Sequence, residues 1–175
     1  GSSVQSVGAA WLMTDLTSSH RLIAMVQSSV TLPIMALGLF AGAIADNFDR
    51  RRVMLAAQIG MFLAATALAL ATWADALNIP ILFSLAAAHG AARVFVGPSM
   101  SAIAPNIVPP ALLPRAIALS SMAWQTASVA GPAVGGLIFA RSEWLPHAIS
   151  AVMLGAAMLL VVTIRPIKAT HDGPP

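Results

Sequence analysis

The sequence has no cysteine, which removes a disulfide framework, cysteine metal sites and a thiol nucleophile without saying anything about the compartment. Charge is also scarce. Asp, Glu, Lys and Arg make up 9% of the 175 residues, against roughly 25% in an ordinary soluble domain. Hydrophobic residues supply 58%, and the mean hydropathy is +0.85. A chain this apolar is neither a water-soluble enzyme nor a disordered segment. It also carries no recognisable metal-ligand cluster, nucleophile–base pair or phosphate-binding loop, so no enzyme activity, metal or cofactor is expected. The net charge of +3 and pI near 11.2 suit a nucleic-acid binder only if the placement of the charges is ignored. They lie between apolar runs, which points to membrane topology and to no nucleic-acid partner.

A membrane-spanning helix needs about 20 mostly apolar residues. Stretches free of Asp, Glu, Lys and Arg run over 22–45, 53–74, 116–140 and 144–164. A fifth apolar region, about 80–104, is broken only by Arg93. The loop after it carries Pro105, Pro109, Pro110 and Pro114. Residues 1–16 are apolar but short for a span, so the chain reads as starting inside its first helix, with Gly1 native. Backbone amides in lipid must be satisfied within the segment, so the spans are helices. The alternation of an outer-membrane barrel is missing. The expected fold is all-α, a polytopic membrane helix bundle over 1–165. Its helices are placed at 1–16, 21–46, 52–74, 79–105, 114–140 and 144–164, and 166–175 is read as a cytoplasmic tail or linker.

Helix parity sorts the loops into two sets. One holds Arg50, Arg51, Arg52, Arg115, Arg165 and Lys168; the other holds only Arg21 and Arg141. The positive-inside bias then puts the 46–52 loop, the proline-rich loop and the tail in the cytoplasm. Trp73 and Trp144 fall at the outer boundary, where indoles prefer to sit.

Three motifs carry more than composition. In Gly42-Ala-Ile-Ala-Asp46-Asn47-Phe48-Asp49-Arg50-Arg51-Arg52, Gly38 and Gly42 lie one turn apart and permit close helix approach. Asp49 is placed to N-cap the next helix. Gly131-Pro132-Ala133-Val134-Gly135-Gly136 lies inside a span, where Pro132 cannot donate to the carbonyl of Ser128. Ala127, Gly131 and Gly135 form a small-residue stripe there. Arg93 stands within its span, with His89 one turn before and Gly97 one turn after; a mid-membrane arginine costs roughly 2.5–3.5 kcal/mol on insertion scales and usually faces a cavity or an acidic partner. The bland alternatives are a topogenic loop, a generic packing face and a snorkelling arginine.

On these motifs the chain resembles the N-terminal half of a major facilitator superfamily transporter. It is similar in particular to the bacterial group of enterobactin exporters and drug–proton antiporters. Gly42, Asp46, Arg50 and Arg51 fit the superfamily signature between helices two and three, while Asn47 and Asp49 stand where a basic residue and a glycine are usual. Arg93 and Gly97 resemble the fourth-helix signature, with Val96 in place of a glutamine. Gly131, Pro132, Gly135 and Gly136 resemble the fifth-helix antiporter signature, with Ala127 in place of its upstream glycine. Residues 1–17 look like the group's first helix.

The resemblance implies one six-helix half of a twelve-helix transporter in the bacterial inner membrane, with the first helix truncated and a C-terminal half as partner beside the lipid and a small-molecule substrate. It implies proton-coupled export of a drug or siderophore by alternating access, powered by the proton gradient with no bound cofactor. It gives Gly42, Asp46, Arg50 and Arg51 the role of a cytoplasmic latch and the Pro132 segment that of a leak-limiting bend. Arg93, His89, Asp15, Gln5, Gln27 and Gln125 are the candidates for proton coupling or cavity lining; Gln58 is a further polar candidate. An uptake symporter of the same fold and an inert truncated membrane protein are the alternatives.

Overall fold

The structure is a computed structural model. It describes residues 2–47 and 49–163, with side chains throughout except at 2–3, 39, 41–47, 50, 101–104 and 106–107. The expected tail at 166–175 lies outside the described residues. Among those described, seven α-helices and one 3-10 turn account for the regular structure, and no strand occurs. In chain order they are α1 (Ser2–Leu16), α2 (His20–Asn47), α3 (Arg50–Trp73), α4 (Ile79–Arg93), α5 (Val96–Ile107), the 3-10 turn Pro110–Leu112, α6 (Leu113–Phe139) and α7 (Leu145–Thr163).

Local chemistry explains the boundaries. The Asp49 side chain accepts a 3.0 Å hydrogen bond from the Arg52 amide and caps α3, as its position in the sequence suggested. At the far end of α3 the chain turns through Asp75, whose φ of 51° places it in the left-handed region. Asn78 then accepts from the Ile81 amide at 2.9 Å and starts α4, with Pro80 in its first turn.

One expectation needs correcting. The helix placed at 79–105 is two helices, because the chain breaks at Val94 and Phe95. Pro98 supplies the reason: it lacks the amide hydrogen that would reach the Val94 carbonyl, and its ring crowds that oxygen. The second piece, α5, also runs past Pro105 to Ile107, into what the sequence marked as loop.

By length and composition four stretches among the described residues are able to cross a membrane: His20–Gly38, Arg51–Trp73, Ile79–Met100, which takes in α4 and the start of α5, and Leu145–Thr163. Helix α6, expected as a full span, is long enough but is not among these four. Ser120, Ser121, Gln125, Thr126 and Ser128 lower its apolar character.

Helix α3 packs most extensively on α7 and α4, α4 also packs on α2, and α6 is held chiefly by α1. Towards one end of the bundle, buried Leu12, Met13, Val26, Leu68 and Leu82 form the largest apolar cluster. A second cluster joins Met61 and Ala65 of α3 to Ala151 and Leu154 of α7. The loops 74–78 and 140–144 meet in a shared pocket that Asp75 and Arg141 both line. At the opposite end Arg51 donates from Nη2 to the Val162 carbonyl, in the last described turn of α7. Alternate loops therefore lie at opposite ends, as helix parity requires.

Candidate functional site

The 15-residue helix α4 begins at Ile79 and ends on Arg93, which at 1.5 Å per residue sits about 21 Å along it. Arg93 is half-buried. Its guanidinium carbon lies 5.4 Å from the ring centroid of Trp124 on α6, within cation–π range. The two residues line a cavity of about 910 Å³ between α2, α3, α4, α5 and α6. Gln27, Thr31, Ser120, Ser121 and Gln125 supply its uncharged polar wall, and Val30, Ile34, Met61 and Met100 its apolar wall. Among the described residues no acidic side chain lines it. The hydroxyl of Thr31 already donates to the Gln27 carbonyl at 2.9 Å, one turn back.

The break between α4 and α5 falls next to Arg93. Val94, at the break, and Val96 and Gly97, just after it, join the lining.

A second, much smaller cavity of about 20 Å³ adjoins the first and shares Val30 and Arg93 with it. Gln5, Ser6 and His89 line it, and its size suits a single water molecule. Beyond it lies a buried polar pair: His147 donates from Nδ1 to Oε1 of Gln5 over 2.9 Å. A carbonyl oxygen only accepts, so the proton sits on Nδ1 and Nε2 is bare in the neutral ring. His147 is fully buried, with Nε2 lacking a hydrogen-bond partner. A Cβ placed on Gly8 would come within 2.8 Å of this ring, so only glycine fits there.

Of the candidates read from sequence, Arg93, Gln27 and Gln125 meet at the large cavity, and His89 and Gln5 at the small one beside it. Asp15 is exposed at the end of α1 and lines neither cavity. The side chains of Gly42, Asp46 and Arg50 lie outside the described residues; Arg51 is half-buried and engaged with the end of α7. In the Pro132 segment the four residues part company. Gly135 is buried, and a Cβ there would stand 3.3 Å from the Val4 Cα of α1. Gly131 is half-buried, Pro132 is exposed, and Gly136 has open space beside it.

Sequence reasoning missed Trp124, Ser120, Ser121, His147 and Gly90. Trp124 had a usable signal, because a tryptophan within a span is out of place when indoles favour the membrane boundaries. Gly90 had none. A Cβ there would lie 2.5 Å from the Val30 carbonyl oxygen, so α2 and α4 approach more closely than any other residue permits.

A family model described as transmembrane secretion effector matches residues 1–172. The chain is 22% identical over 172 residues to macrolide efflux protein A of Streptococcus pyogenes, covering 98% of this chain and 42% of that protein. It is 28% identical over 175 residues to the multidrug efflux pump Tap of Mycobacterium tuberculosis, covering 94% of this chain and 41% of the pump. It is 30% identical over 140 residues to an uncharacterised transporter of the major facilitator type from Mycobacterium bovis, covering 80% of this chain and 30% of that protein. The chain thus spans less than half the length of these relatives. No solved structure matches it.

Proposed function

Because the chain belongs to the transmembrane secretion effector family of the major facilitator superfamily, a family of multi-pass membrane transporters and not enzymes, we propose that it serves as the N-terminal half of a proton-coupled exporter. The cargo is a small amphipathic molecule of the drug or siderophore class. The observation that carries this reading is the Arg93–Trp124 cavity: a charged, polar-walled recess set well inside a bundle whose apolar helices suit lipid. Such recesses near the midplane, between two repeats that rock against each other, are the architecture of alternating access. A second six-helix bundle closes the open side of the cavity, and the greater length of the relatives supports its existence.

The host membrane is the bacterial inner membrane, with the 46–52 loop and the chain's C-terminal tail in the cytoplasm. The excess of Arg and Lys in that set of loops supports this orientation. Gly42, Asp46, Arg50 and Arg51 act as the cytoplasmic latch. There Asp46 is favoured by the positive end of a helix dipole in the second bundle, and arginine adds charge-assisted bonds. The Gly131, Pro132, Gly135 and Gly136 segment acts as the bend that limits leakage; the contact of Gly135 with α1 supports that role. Proton binding couples to substrate exchange through the charge of Arg93, with His89 and Gln5 beside it.

The test is proton-driven accumulation of substrate in inverted membrane vesicles carrying the assembled transporter. Asp46→Asn and Arg93→Gln are each expected to abolish accumulation while the protein still inserts. Undiminished accumulation in both variants refutes the assignment. Substrate accumulation in right-side-out vesicles under an inward proton gradient would instead make the protein an uptake symporter.

A further inference from the structure

We propose that the Arg93–Trp124 cavity selects amphipathic organic anions, with a carboxylate or sulfonate head on an aromatic or alicyclic body; this rests on the cavity being the substrate site. Among the described residues Arg93 makes no ion pair, and no Asp or Glu lines the cavity. The acidic side chains that are described, Asp15, Asp49, Asp75 and Glu143, all stand at helix ends or in loops. Among the described residues the cavity therefore holds a fixed positive charge with no negative partner.

Trp124 offsets part of the cost of that charge with its ring face. The indole of Trp124 carries an N–H donor and no lone-pair acceptor, so the guanidinium keeps its five donors for a guest. They match the two oxygens of a carboxylate, which accept side by side. The neighbouring wall of Gln27, Gln125, Ser120 and Ser121 adds hydrogen-bonding groups without charge. Attraction between opposite charges strengthens as the surroundings become less polar, and so does repulsion between like charges. A cationic guest of the same shape meets Arg93 with nothing to neutralise it. The exposed indole of Trp124 and the apolar wall opposite offer the body of the guest a flat surface.

The test uses the assembled transporter in nanodiscs of zwitterionic phosphatidylcholine, so that lipid charge favours neither sign. The probes share one skeleton: 2-naphthoate, 2-naphthalenemethanol and 2-naphthylmethylammonium, each measured by equilibrium dialysis. Naphthoate is expected to bind at least about tenfold more tightly than the ammonium probe, the size of one charge-assisted hydrogen bond. Arg93→Gln is expected to erase the preference, Arg93→Lys to keep its sign with weaker binding, and Arg115→Gln to change nothing.

Equal binding of the three probes, a preference for the ammonium, no naphthoate binding, or a preference that survives in Arg93→Gln overturns the proposal. A carboxylate supplied by the second bundle would produce the first of these results. The ranking in the unsubstituted protein needs no variant to fold. Loss of proton-driven export with the naphthoate preference intact removes the transport reading alone; export with no anion preference removes this inference alone.

Discussion

Arg93 is the residue on which the account turns, and its surroundings explain how a guanidinium persists within a span. The ring of Trp124 takes part of the charge, and the cavity provides the rest of its polar contact. Replacing Trp124 with Leu removes the quadrupole and keeps an apolar side chain of smaller volume. About 0.5–1 kcal/mol of support for the guanidinium is then lost, which corresponds to roughly two- to fivefold weaker binding of naphthoate at the cavity. Trp124→Phe should fall between the two; binding unchanged in Trp124→Leu would mean the ring does not hold Arg93. A second residue-scale prediction concerns Gly90. An added methyl group would meet the Val30 carbonyl oxygen at 2.5 Å, so Gly90→Ala must push α2 away from α4. Overpacking of this kind costs about 1–3 kcal/mol, read as a lowered thermal midpoint in detergent. Gly38→Ala, which has open space beside it, is the matched control and should not lower it. At this scale the sequence made Arg93 legible, since a lone charge in an apolar run is visible in one dimension. It hid His147, whose meaning comes from Gln5 across 142 positions of chain, and Gly90, whose need for no side chain comes from a neighbouring backbone.

Among the helices, the ends of most lie within a few residues of the ends of an apolar run. The exceptions have local causes. The break after Arg93 follows from Pro98 and was readable, because a proline fixes the carbonyl it deprives four residues earlier. Pro98→Ala restores that hydrogen bond, and the prediction is a continuous helix from α4 into α5. Spin labels at residues 88 and 103 should then report a distance near 22 Å, the rise of about 1.5 Å per residue over that interval; an unchanged separation would place the cause of the break elsewhere. Helix α6 read as an ordinary span, yet Ser120, Ser121 and Gln125 line the cavity, so part of its polarity faces that recess. Arg51 shows the reverse: the sequence offers it as part of a latch, and the structure adds a bond to the end of α7. Arg51→Ala should unpin the last turn of α7 and speed amide hydrogen exchange at residues 160–163, with Arg51→Lys restoring part of the protection. A cation at a helix C-terminus contributes about 0.3–1 kcal/mol, so exchange there should accelerate by no more than roughly fivefold. Exchange untouched in Arg51→Ala would show that the bond contributes nothing.

For the molecule as a whole, the loop charges stand at the two ends of the bundle and the Arg93–Trp124 cavity opens along its side. The arginines of the 46–52 loop lie at one end of the bundle, and Asp75 and Arg141 lie at the other. Helix α6 stands exposed along almost its full length and is held chiefly by α1, leaving the cavity open on that side. The account makes that open side the face of a second bundle. The 175-residue chain by itself, reconstituted in liposomes, should therefore carry no proton-coupled flux. The central claim is that the Arg93–Trp124 cavity is a water-filled substrate path, and the natural lack of cysteine in this chain makes it directly testable. Ser121→Cys and Gln125→Cys line the cavity, while Val152→Cys and Leu160→Cys sit on the exposed face of α7. In the assembled transporter, treated with a membrane-impermeant maleimide, the two cavity positions should react and be protected by naphthoate, and the two α7 positions should remain unlabelled in the acyl chains. Cavity positions as inert as those on α7 would contradict the account.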